Sequence, residues 1–153
     1  MSTDKAKFLK EEFVPLLKKL KGEEKGSWGV LSSQGMIEHM CDSFGEGRGR
    51  IPRTLHTPEN LVPRFRDFAL SEKEFKPETK NALMSETPPP LRKKNITEAI
   101  EELEKEITSF FDHHKNAPGV IITNPFFGDF NYNEWLHLLH KHAIHHLKQF
   151  NLV

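Results

Sequence analysis

With Cys41 as its only cysteine, this chain cannot form an internal disulfide, and a fold that does without them suits a reducing compartment. An excess of one charge is missing too. Lys plus Arg and Asp plus Glu both number 22, for a formal net charge of zero. Binding to phosphate backbones normally shows a basic excess, so nucleic acid is excluded as an expected partner. Nor is there a long hydrophobic run. No stretch approaches the roughly 20 apolar residues of a membrane span, and the opening MSTDKAKFLKEEF has no apolar signal core. The expectation is a cytoplasmic protein without a membrane partner, in which the sequon Asn95-Ile96-Thr97 has no use. Alternating strand patterns are also absent.

Helical periods are present instead. A chain of 153 residues is one domain by length, here 1–153, and long enough to bury a core. From Thr3 to Lys21, Leu9, Phe13, Leu16, Leu17 and Leu20 recur at helical spacing, and Pro15 predicts a kink or restart. After a loop at Gly22–Gly26, Ser32-Ser33 offer an N-cap, and Met36, Ile37, Met40 and Phe44 share the face of a second helix. Residues Glu46 to Asn95 hold no sustained period and contain Pro52, Pro58, Pro63, Pro77, Pro88, Pro89 and Pro90. They read as a long irregular crossover with one short helix over Glu59–Phe68. A third helix opens at Asn95-Ile96-Thr97-Glu98 and runs to about His114, its stripe made by Ile100, Leu103, Ile107, Phe110 and Phe111. The VII and PFF segments that follow are too short and interrupted for a buried strand pair, and are expected to plug an end of the fold. Asn131 and Glu134 form a capping box for the fourth helix. The expected class is all-α, a four-helix bundle with a long irregular crossover between helices two and three.

The last helix concentrates the chemistry. WLHLLHKHAIHHLKQ, Trp135 to Gln149, carries five of the nine histidines. At about 100° per residue from Trp135, His142 and His146 fall within about 20° of the stripe centre, His145 about 80° away on its flank, and His140 and His137 on the side expected to face water. Two imidazoles one turn apart can converge on one metal ion. Burying both otherwise requires partners for four ring nitrogens, although a single HxxxH is common by chance in a histidine-rich chain. His39 lies at the border of its apolar face, where phase alone does not make it a ligand. His113 and His114 sit in the last turn of helix three, expected in a solvated, dipole-compensating role.

WGVLSSQGMIEHM near the start and NPFFGDFNYNEWLHLLHKHAIHHLKQF at the end resemble the DinB-like superfamily, four-helix proteins also described as YfiT-like metal-dependent hydrolases. The resemblance spans most of the chain and is weakest in the crossover. It implies a divalent metal held by one histidine of helix two and two of the last helix: His39, His142 and His146, followed by Gln149. Where many relatives have Arg-Gly before that glutamine, this chain has Leu147-Lys148. Three histidines match a catalytic zinc-type centre with one position left for water, and suit zinc, nickel or iron. Occupancy would then be expected to fall below about pH 6.5, where free imidazole protonates.

The implied activity is hydrolysis or transfer involving a thiol cofactor, since related members use bacillithiol or mycothiol. No residue here reads out the substrate. Partners left open are a small molecule, a low-molecular-weight thiol among them, and a second copy of the chain in a homodimer. Asp42 and Glu46, one and two turns beyond His39, could orient a ligand or accept a proton, or could be solvated surface carboxylates. Tyr132 and Asn133 lie about 15 Å along the helix from His142, too far to touch it. A metal-dependent enzyme, a non-catalytic metal-binding protein and a protein-interaction helical bundle all remain open on the residues alone.

Overall fold

Short polar residues ahead of apolar periods start the longer helices where the sequence predicts. The computed structural model, which describes residues 2–77 and 87–153 with side chains from Asp4 onward, is mainly helical. Helix α1 spans Ser2–Lys7 and helix α2 spans Phe13–Leu17, joined by a π-helical turn over Phe8–Glu12. That turn is the restart expected near Pro15. Proline lacks an N–H and crowds the preceding turn, and the wide Phe13 N–H to Phe8 O bond closes the first register ahead of it. The helix ends at Leu17, short of the expected Lys21, after burying Leu9, Phe13 and Leu17 completely.

Helix α3, Ser33–Gly47, starts at Ser32, whose Oγ accepts the Gly35 N–H at 3.1 Å. Met36, Ile37, Met40 and Phe44 are fully buried along it. The crossover follows, with a 3-10 turn at Glu59–Leu61 and helix α4 at Val62–Leu70, where the short helix was expected. Residues 78–86 of the expected irregular stretch lie outside the described residues. Asn95 Oδ1 accepts the Glu98 N–H at 3.0 Å and opens helix α5, Ile96–Asn116, which lies along α3. Gly47 marks a close approach. A Cβ there would stand 3.1 Å from Phe110, 3.2 Å from Trp135 and 3.3 Å from Leu139.

The plug expected before the last helix is instead a hairpin. Strand β1, Ile122–Asn124, pairs antiparallel with strand β2, Gly128–Phe130, with Ile122 opposite Phe130. Three-residue strands are too short to print an alternating pattern, and the turn is made by side-chain chemistry. Asn124 Oδ1 accepts the N–H groups of Phe126 and Phe127 at 2.8 and 3.1 Å. Helix α6, Tyr132–Gln149, begins with the expected capping box between Asn131 and Glu134. Trp135 donates its Nε1–H to Ile122 O at 3.0 Å and ties the hairpin to α6. Trp135, Leu136 and Leu139 are at most 2 % exposed, each contributing about 1.5–3 kcal/mol relative to exposure.

The side of α6 expected to face water does not. Helix α1 and the crossover cover it, because their own apolar stripes need a surface to bury against. His137 Nε2–H donates to Ser71 O at 2.8 Å, and its Nδ1 accepts from Lys5 Nζ at 2.9 Å. His140 stacks edge-on against Phe8, ring centroids 5.3 Å apart. Lys141, 8 % exposed, donates to Phe68 O at 2.6 Å, Ala69 O at 3.4 Å and Ser71 O at 3.3 Å. Those carbonyls end α4, so a cation there offsets the helix dipole and adds a donor to the last-turn oxygens. At the other end of the crossover, the buried Glu38 carboxylate accepts the Arg92 N–H at 2.7 Å and the Lys93 N–H at 3.2 Å.

Candidate metal centre

His39 projects from the flank of α3 that faces α6, and His142 and His146 from successive turns of α6 on the side facing α3. The Nε2 atoms of His39 and His142 are 3.1 Å apart, and those of His142 and His146 are 2.9 Å apart. All three nitrogens lie within 4.8 Å of one another, the arrangement that can hold a metal ion. Two nitrogens bound to one tetrahedral ion at about 2.0–2.1 Å stand about 3.3 Å apart, so both short separations match to within a few tenths of an ångström. The donor set fits a divalent cation.

Their electrostatics fit as well. Burial holds the His39 pKa down to about 4, with the nearby His145 adding to the effect. Burial does the same for His146, to about 3, and the mutual repulsion of protonated His39 pushes in the same direction. The His142 pKa lies well below 6.5, from burial first and then its three histidine neighbours. Near neutral pH all three rings are therefore neutral, the state a metal ligand requires.

His146 has a fixed partner on its other nitrogen. Its Nδ1 lies 2.7 Å from Gln149 Oε1, and Gln149 Nε2–H donates to the carbonyl of Trp28 at 2.7 Å. Trp28 and Phe75 form an aromatic rim, since Trp28 lies 5.3 Å from the His145 ring and Phe75 lies 5.9 Å from His145 and 6.5 Å from His142. His145 does not join the three; its ring stands 5.2 Å from His146 and bonds to the backbone of Phe75. Periodicity could not find Trp28 or Phe75, which come from loops, although Trp28 opens the stretch WGVLSSQGMIEHM.

Other histidines and carboxylates named from sequence take different roles. His114, expected in solvent, is 6 % exposed and donates its Nε2–H to Gly47 O at 2.8 Å, because α5 turns that face onto the end of α3. Asp42 and Glu46 are half-buried rather than solvated. Asp42 is paired with Arg92 at 3.3 Å and Glu46 with Arg53 at 2.8 Å, and burial raises the pKa of both against these arginines. Cys41 is buried with its thiol pKa pushed up, and its Sγ lies 3.8 Å from Ala99 O. A buried, protonated thiol is neither nucleophile nor ligand. Comparison with family models, with curated proteins and with solved structures finds no match.

Proposed function

We propose that His39, His142 and His146 bind one divalent metal ion, zinc or nickel first and iron next, in a DinB-like four-helix fold that acts as a metal-dependent hydrolase or thiol-cofactor transferase. The convergence of three Nε2 atoms from two helices 103 residues apart carries this reading. Three neutral imidazoles suit those metals without choosing among them. Such an ion would supply Lewis acidity and make water or a thiol nucleophilic near neutral pH. The protein's own part is to keep three lone pairs unprotonated, to orient His146 through Gln149, and to flank the site with Trp28 and Phe75. The substrate is a small molecule, with a low-molecular-weight thiol as the leading class and a homodimer as the assembly to test.

One observation favours a second reading, a metal-binding protein without catalysis. Among the described residues Asp42 and Glu46, one and two turns beyond His39, are occupied by Arg92 and Arg53, and the adjacent Glu38 by the Arg92 and Lys93 N–H groups, which leaves no identified general base beside the centre. Metal analysis of protein purified without a nickel column tests the shared premise. Stoichiometric zinc, nickel or iron supports it, and metal-free protein that takes up none overturns it. A panel of ester hydrolysis and thiol-conjugation reactions on the loaded protein then separates enzyme from carrier.

A further inference from the structure

The Gln149 side chain resolves a choice that the histidine cluster alone leaves open. A backbone carbonyl can only accept a hydrogen bond, so the end of the amide that faces Trp28 O at 2.7 Å is the NH₂. The other end, 2.7 Å from His146 Nδ1, is therefore the oxygen. An amide oxygen cannot donate, so His146 Nδ1 carries the proton and Nε2 holds a lone pair. That lone pair is aimed at His142 Nε2, 2.9 Å away.

The amide is itself held in place by the loop before α3. Ser27 N–H donates to the backbone carbonyl of Gln149 at 2.8 Å, and Asn151 Nδ2 donates to Ser27 Oγ at 3.2 Å. Gln149 is 3 % exposed. The loop comes so close that a Cβ on Gly26 would stand 2.6 Å from Gln149 Cγ, and one on Gly29, whose φ is +81°, would stand 2.9 Å from Gln149 Nε2. No side chain other than hydrogen could occupy position 26 without displacing the glutamine.

We propose that Gln149 is a positioning residue, set by the Gly26–Gly29 loop through Trp28 O, which locks His146 in its Nδ1–H tautomer and presents its Nε2 lone pair to the metal centre. This rests on the metal centre proposed above. Partners on the far nitrogen of a metal-binding histidine fix ring orientation and raise ligand basicity, and losing one typically costs 10–100-fold in affinity. The loop thus governs affinity without contacting the ion.

The test uses the full chain labelled with ¹⁵N-histidine, together with zinc titration against a chromophoric chelator. In the metal-free wild type, His146 should show a protonated Nδ1 and an unprotonated Nε2. Gln149→Met keeps the length of the side chain and removes the acceptor; it should mix the tautomers and weaken zinc binding about 10–100-fold. Gln149→Glu keeps an acceptor toward His146 but loses the donor to Trp28 O, so it should keep the Nδ1–H tautomer and weaken zinc binding less than Gln149→Met does. Gly26→Ala should behave like Gln149→Met. An Nε2–H tautomer in the wild type, or wild-type tautomer and zinc affinity in Gln149→Met, overturns the proposal. If the wild type takes up no zinc, the metal centre falls while the tautomer measurement still decides the role of Gln149.

Discussion

The Nε2 atoms of His39 and His142 face each other at 3.1 Å across two helices, although the residues are 103 positions apart in the chain. With Nε2 of His146 only 2.9 Å from the same His142 nitrogen, one ring nitrogen serves two neighbours. A neutral imidazole has a single proton to share, whereas one cation satisfies all three lone pairs at once.

Substituting any of the three with alanine should therefore lower metal content from near stoichiometric to a small fraction, as measured by elemental analysis. Metal should raise the melting temperature of the wild type, by mass action on the folded state, and should fail to do so in His39→Ala, His142→Ala or His146→Ala. His140→Ala and His137→Ala are the controls for occupancy and should retain metal. Equal loss from the controls would mean nonspecific capture by a histidine-rich helix.

His137→Ala should nevertheless cost stability. It removes one donor to Ser71 O, which keeps Lys141, and the acceptor for Lys5, which keeps Glu72 at 3.7 Å, about 0.5–1.5 kcal/mol for each hydrogen bond lost. Chemical denaturation of the metal-free protein reads this out. A midpoint unchanged from wild type would contradict the covered position of this helix face.

Lys141→Met tests how the crossover is held. Removing the ammonium strips a donor from Phe68 O, Ala69 O and Ser71 O, and the end of α4 should loosen. Limited proteolysis should begin within residues 46–95 in the wild type and proceed faster there in Lys141→Met. Cleavage starting inside Glu98–Phe111 would contradict the burial of Leu103, Ile107 and Phe110 on α5.

The metal-free protein should lose stability as pH falls from about 6.5 toward 4. Below 6.5 the unfolded chain binds protons at positions where folded His39 and His146 refuse them until about pH 4 and about pH 3. The folded pKa values are depressed, so this stability is complete above 6.5 and falls at up to about 1.4 kcal/mol per pH unit for each proton. The same depression bears on metal binding. Competition by protons begins lower than 6.5, and zinc occupancy should persist until the fold itself gives way. Release tracking free imidazole, centred at 6.5, would contradict the burial of the site.

The sequence by itself determined the helical segments, their caps at Ser32, Asn95 and Asn131, the restart near Pro15 and the central phase of His142 and His146. These are local properties, set by bonds and periods within a few residues, and they survive without knowledge of the partner surface. Only the tertiary structure decided which side of α3 meets α6, and with it the place of His39 beside His142. It also decided that α1 and the crossover cover His137, His140 and Lys141, that His114 turns inward to Gly47, and that the Gly26–Gly29 loop reaches Gln149. The hairpin at Ile122–Phe130 belongs to the same class, because its strands are too short for a pattern and depend on Asn124 and Trp135 to hold them. Apart from the hairpin's local turn, each of these depends on contacts between residues distant in sequence, where burial of one element's apolar face against another overrides the solvent exposure that periodicity alone assigns.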